Sequence, residues 1–202
     1  MYNELRKNWA KIFLQIAGEE VLCPVEIKNV RGNTFCIDTG MTYIPFYKVN
    51  DEEISMLDTG WAAGEQKGIT EALQKNALKV VGIINSHAHI DHSDNNSYLR
   101  EKYSCQIAMP ACEAMICSSM INLKLYYNTL SMTEITEHLG HMVCPVDFPI
   151  ADEQTSIKMH GIEFKILHTP GHSTAHICLF TPDDVAYIGD ALISHNVMNG
   201  AK

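Results

Sequence analysis

The segment His87-Ala88-His89-Ile90-Asp91-His92 constrains this chain more than any other part of it. Imidazoles crowded beside a carboxylate gain little from packing together unless a cation sits among them. The run Lys79-Val80-Val81-Gly82-Ile83-Ile84 lies just upstream, short, apolar and unbroken, as a strand buried on both faces reads. The cluster therefore falls at a strand end. Two residues apart in extended chain, His87 and His89 point the same way and can grip one ion. On the following turn, Asp91 and His92 can face a second ion about 3.5–4 Å from the first. Zinc takes imidazole nitrogen and carboxylate oxygen, and its catalytic sites keep one position for water. Iron and manganese accept the same donors.

Two later islands strengthen the pattern. In Leu167-His168-Thr169-Pro170-Gly171-His172, a Pro-Gly turn closes an apolar strand and aims His172 out of the sheet edge. In Ala186-Tyr187-Ile188-Gly189-Asp190, a strand ends in Gly then Asp, which suits a carboxylate that bridges two metals. Alone, the Gly-Asp would be read as a turn and the His after Gly as structural. Their order and shared strand-end placement make them one site.

Hydrophobic periodicity predicts a helix over 3–17 and short strands over 21–28, 34–38, 42–49 and 53–57, an antiparallel meander punctuated by Asn33, Gly40 and Asn50-Asp51. A helix over 65–77 leads into the strand 79–84. Further helix is expected over 93–103 and strand over 106–109. Residues 111–141 are mostly helical, and strands return over 155–159, 162–167, 175–180 and 184–189. This order suits one α/β domain over 1–202, with two facing sheets and helices outside.

HxHxDH, then TPGHS, then Gly-Asp, in that order, closely resembles the metallo-β-lactamase-fold hydrolases, a superfamily that includes hydroxyacylglutathione hydrolases, lactonases, β-lactamases and nucleases. Leu57-Asp58-Thr59-Gly60 is similar to that family's N-terminal segment. The resemblance implies an αββα sandwich with metals at the sheet edges. Position by position, it implies that His87, His89 and His172 hold one ion. Asp91 and His92 would hold the other, with Asp190 bridging. Zinc lowers the pKa of its bound water to roughly 7, so the implied chemistry is attack by a metal-bound hydroxide on an ester, thioester or lactone. Asp91 is the candidate catalytic carboxylate that orients the nucleophile or takes its proton.

The sequence also departs from that family. The resemblance implies a further histidine well downstream of Gly-Asp, and the only histidine after Asp190 is His195, in a Ser-His-Asn loop context. The expectation is a C-terminally truncated domain with its second half incomplete, binding one metal well and the second poorly. An open sheet edge would favour association with another copy. Residues 111–141 carry Met115, Met120, Tyr126, Tyr127 and Met132 and admit two readings. One is a helical hairpin packed on the core; the other is a lid that shapes an apolar substrate pocket. His138 and His141 read as solvated, His160 and His176 as structural, and His168 as a support for the turn carrying His172.

The net charge of −9 argues against nucleic acid, so a small-molecule substrate is expected and a phosphodiesterase or nuclease is the alternative. A catalytically impaired metal-binding fragment or assembly module is the non-enzyme alternative. No run approaches a membrane span or a signal-peptide core, which places the chain in the cytoplasm by expectation. Seven cysteines without a CxxC pair read as reduced core residues.

Overall fold

The computed structural model describes residues 25–40 and 42–192. The helix expected over 3–17, the start of the strand over 21–28, and His195 lie outside them. Strands β1 (Glu26–Arg31), β2 (Thr34–Asp38), β3 (Tyr43–Lys48) and β4 (Glu53–Leu57) form the expected antiparallel meander. Its turns follow local chemistry. Gly32 takes φ +54° between β1 and β2. Between β3 and β4 the Asn50 side-chain oxygen accepts the N–H groups of Glu52 (3.0 Å) and Glu53 (2.8 Å).

Helix α1 (Ala62–Lys75) then carries the chain to β5 (Lys79–Ile84), which pairs parallel to β4. The helix starts earlier than the apolar spacing predicted. The Glu65 carboxylate reaches back to the Trp61 N–H at 2.7 Å and extends the first turn beyond the periodic residues. Strands β6 (Gln106–Pro110) and β7 (Phe148–Ile150) continue the parallel half, giving a seven-stranded sheet in chain order from β1 to β7. Four further strands, β8 (Ser156–Met159), β9 (Ile162–His168), β10 (Ile177–Phe180) and β11 (Ala186–Tyr187), form an antiparallel second sheet in the order β11-β10-β9-β8.

Strand alternation divides the core into layers. Phe46, Met56, Ile83 and Ile107 face α1 and α3 (Asn96–Tyr103), where they meet Ile69, Leu73 and Leu99. Their neighbours Tyr47, Leu57, Ile84 and Ala108 face the second sheet and pack on Phe164, Ile166, Ile177 and Leu179. The first sheet is thus apolar on both faces, as the unbroken run 79–84 predicted. On the second sheet, Glu163, Lys165 and Leu167 of β9 alternate outward and are exposed. Among the described residues no helix covers that face.

The segment 111–141 folds as α4 (Ala111–Ile116), α5 (Met120–Tyr126) and α6 (Met132–Leu139), followed by a 3-10 turn over Gly140–Met142. Leu123, Ile135, Leu139 and Met142 bury into a third cluster with Ala88 and Met109. The opposite side of the segment leaves Met115, Ile121, Leu125 and Met132 exposed. Five of the six described cysteines are buried free thiols, and Cys112 is exposed. No helix among the described residues is long and apolar enough to cross a membrane.

Candidate metal centre

The parallel strands β4 and β5 end side by side, and the candidate site is built at their carboxyl ends, where open α/β sheets present their crevices. After Ile84 the chain passes through Asn85, a bend at Ser86 and His87 to His89, whose extended backbone precedes a one-turn helix, α2 (Ile90–Ser93). This stretch brings His87 and His89 to one side, and the helical turn swings Asp91 and His92 beside them.

The first donor group is His87, His89 and His172. His87 Nε2 lies 3.0 Å from His89 Nδ1, and His89 Nδ1 lies 2.8 Å from His172 Nε2. A ring nitrogen carries one proton or one lone pair, so His89 Nδ1 cannot satisfy both neighbours by hydrogen bonding. Three imidazole nitrogens converging in this way suit a divalent cation. The surrounding contacts free the right atoms. Ser86 Oγ donates to Asp58 Oδ2 (2.6 Å), which leaves it to accept from His87 Nδ1 (3.0 Å) and keeps the His87 Nε2 lone pair toward the site. His89 Nε2 lies 2.7 Å from the Tyr126 hydroxyl of α5, the partner it needs if Nδ1 is the ligand.

The second donor group is Asp91, His92 and Asp190. His92 Nδ1 donates to Asp58 Oδ2 at 2.7 Å, so its Nε2 faces Asp190 Oδ1 (3.4 Å) and Asp91 Oδ2 (3.7 Å). Asp190 Oδ2 lies 3.2 Å from His172 Nε2. One carboxylate therefore reaches both groups, the position of a bridging ligand. All six residues singled out in the sequence come together. Asp91 is the most open, with 55% of its side chain exposed, as suits a group that meets solvent or substrate.

Electrostatics in the metal-free site follow burial and charge. Burial pushes His87 down to about 3 and lowers His89, so both shift toward the neutral form that a metal ligand needs. Burial opposes charge on His92 as well, but hydrogen bonds to Asp190 and Asp58 outweigh it and carry the imidazole up to about 10. The His92 contact in turn holds Asp190 down at about 2. Burial alone would raise Asp58, yet its bond to His92 keeps this carboxyl below the usual range.

The structure also revises several histidines. His141 is partly solvated as expected, but it is also paired: its Nε2 meets Oδ1 of buried Asp94, whose other oxygen accepts the Ala62 N–H at 2.8 Å. His168 supports the loop before β8 by bonding the Gln154 carbonyl (2.8 Å), not the turn that carries His172. His160 and His176 are structural as expected. His160 bonds the Val81 carbonyl, and His176, wholly buried, accepts the Asp190 N–H (3.1 Å) and contacts Thr169 Oγ1 (2.8 Å). The role of Asp58 went unassigned from sequence, although Leu57-Asp58-Thr59-Gly60 pointed to it. Tyr187, whose hydroxyl donates to Asp58 Oδ2 at 2.5 Å, gave no sequence signal.

Fold and donors together define an α/β sandwich with a histidine–aspartate metal centre at its strand ends. The chain belongs to the metallo-beta-lactamase superfamily, whose family model matches residues 37–202. An uncharacterized protein of Aquifex aeolicus is 30% identical over 146 residues, covering 72% of this chain and 62% of that protein. A hydroxyacylglutathione hydrolase of Rhizobium etli is 26% identical over 142 residues, covering 68% and 45%. The chain thus spans roughly half to three fifths of these relatives' length. Among solved structures, the BLEG-1 B3 metallo-beta-lactamase superposes with TM-score 0.59 at 19% identity, covering 84% of this chain and 73% of that one. FEZ-1 from Legionella gormanii gives 0.62 at 15%, covering 81% and 62%. At these identities the structural likeness speaks for the fold.

Proposed function

We propose that this chain carries the metal centre of a hydrolase that cleaves a small-molecule ester, thioester or lactone. One observation carries the reading: three imidazole nitrogens converge beside an Asp91–His92–Asp190 group, with Asp190 reaching both. These residues would hold a divalent cation, with zinc the first candidate, which when bound would lower the pKa of water toward neutrality and polarise an acyl oxygen. The residues supply the rest. His87, His89 and His172 present converging ring nitrogens, and Asp190 spans the two groups. Asp91, exposed at the mouth, orients the attacking water and receives its proton. The relatives named hydroxyacylglutathione hydrolase favour acyl chemistry, and the net charge of −9 disfavours a polyanionic substrate.

The test is metal analysis alongside turnover of acyl-glutathione thioesters, aryl esters, lactones and a phosphodiester. Hydrolysis of the acyl compounds that is lost on chelation supports the reading. Two metals bound with phosphodiester cleavage alone would overturn it. Metal bound with no turnover would favour the binding-module alternative, in which activity needs the part of the relatives that this chain does not span.

A further inference from the structure

Glu113 stands in the first turn of α4 with no exposed surface at all. A carboxylate taken wholly out of water is costly unless its oxygens are matched by donors. Here each oxygen takes a backbone N–H from a different loop. Oε2 accepts from Ala88 at 3.1 Å, and Oε1 accepts from Ala175 at 2.9 Å. Ala88 is the residue between His87 and His89, and Ala175 closely follows His172 in the loop between β9 and β10. The two loops joined by this side chain are the two that supply every imidazole of the first donor group.

We infer that Glu113 is a positioning residue for the metal centre: its carboxylate clamps the His87/His89 loop to the His172 loop and sets their spacing. The inference rests on the metal-binding reading proposed above. The planar carboxylate fixes the separation of two N–H groups on loops that follow strands of different sheets, so the three imidazoles are held together before an ion arrives. A side chain serving α4 alone would bond within its own helix or to β6. Glu113 instead spends both oxygens on the two loops. An amide at this position would accept one N–H and turn its own N–H₂ toward the other, breaking one half of the clamp.

The experiment compares wild type, Glu113→Gln and Glu113→Ala, with Asp147→Asn as a control carboxylate that ties α3 to β6 away from the site. Cobalt(II) is the probe, because its visible absorption reports ligand geometry without turnover. Its dissociation constant is measured by competition with a chelator, and folding of each metal-free protein by circular dichroism. Glu113→Gln should weaken cobalt binding about 10- to 100-fold, in the range of other outer ligands, and change the absorption band. Asp147→Asn should lower the melting temperature and leave cobalt binding alone. If Glu113→Ala does not fold, the near-isosteric Gln variant decides the matter. A folded Gln variant that binds cobalt within twofold of wild type, with the same spectrum, overturns the clamp. A wild-type protein that takes up no cobalt overturns the metal reading itself, which is a different result.

Discussion

Asp58 and His92 meet across the ends of neighbouring strands, with Asp58 Oδ2 2.7 Å from His92 Nδ1. The carboxylate also accepts the Ser86 N–H (2.6 Å) and the Tyr187 hydroxyl (2.5 Å). It is held rigidly and fixes which His92 nitrogen faces the second donor group. Replacing Asp58 with Asn removes the charge while keeping the shape. The second equivalent of zinc should then bind about 10- to 100-fold more weakly, and the first should weaken by a smaller factor, since Asp58 reaches His87 only through Ser86. Calorimetric titration checks this, and equal loss at both sites would refute the assignment.

Tyr126 ties the helical segment to the first group through His89 Nε2. Tyr126→Phe removes one hydrogen bond and no packing volume. The expected outcome is a first-ion affinity lower by roughly tenfold with little change in melting temperature. A large drop in stability with unchanged metal binding would show that the hydroxyl serves the fold and not the metal site.

Gly189 sits at φ +47°, and an added Cβ would stand 2.7 Å from His176 Nε2 and 3.0 Å from Ser86 Oγ. Gly189→Ala should therefore cost about 1–3 kcal/mol in backbone strain and displace Asp190. Urea denaturation measures the cost, and metal analysis should find the second ion depleted. Unchanged occupancy at both positions would show that Asp190 tolerates the shift.

The His141–Asp94 pair gives a pH prediction. The hydrogen bond to Asp94 raises the His141 pKa above its ordinary 6.5. The charged pair's stabilisation is thus complete below that unfolded value and fades as pH rises through the raised folded value. With 46% of the His141 side chain exposed, the effect stays below about 1 kcal/mol. Wild type should lose stability relative to His141→Gln as pH is raised from 6 toward 9. A difference that does not change with pH would rule the pairing out.

Legibility in the sequence followed the range of the interactions. Strands 34–38, 53–57 and 79–84 were readable because turn residues and apolar alternation are local, and their bounds agree with the structure. The six candidate donors were readable as a group because a His-Ala-His-Ile-Asp-His run directly after an apolar strand is hard to explain by packing, and the structure brings them close together. The start of α1 was missed because its cap is Glu65 folding back on Trp61, inside the helix rather than before it. The pairing of His141 was missed because its partner Asp94 is distant in sequence and α6 and the following turn had to be in place to bring them together. Glu113 looked like any helical carboxylate, and only the meeting of two loops over it gives it meaning.

The donors come from both sheets: His87, His89, Asp91 and His92 follow β5 of the first, while His172 and Asp190 follow β9 and β11 of the second. An ion held by both sets is a reversible cross-link between the layers, and its strength is set by mass action. At a free concentration one hundred times its dissociation constant, such an ion adds about 2.7 kcal/mol to the folded state. The melting temperature of this protein should therefore rise and fall with the buffered metal level, turning resistance to heat into a gauge of metal supply.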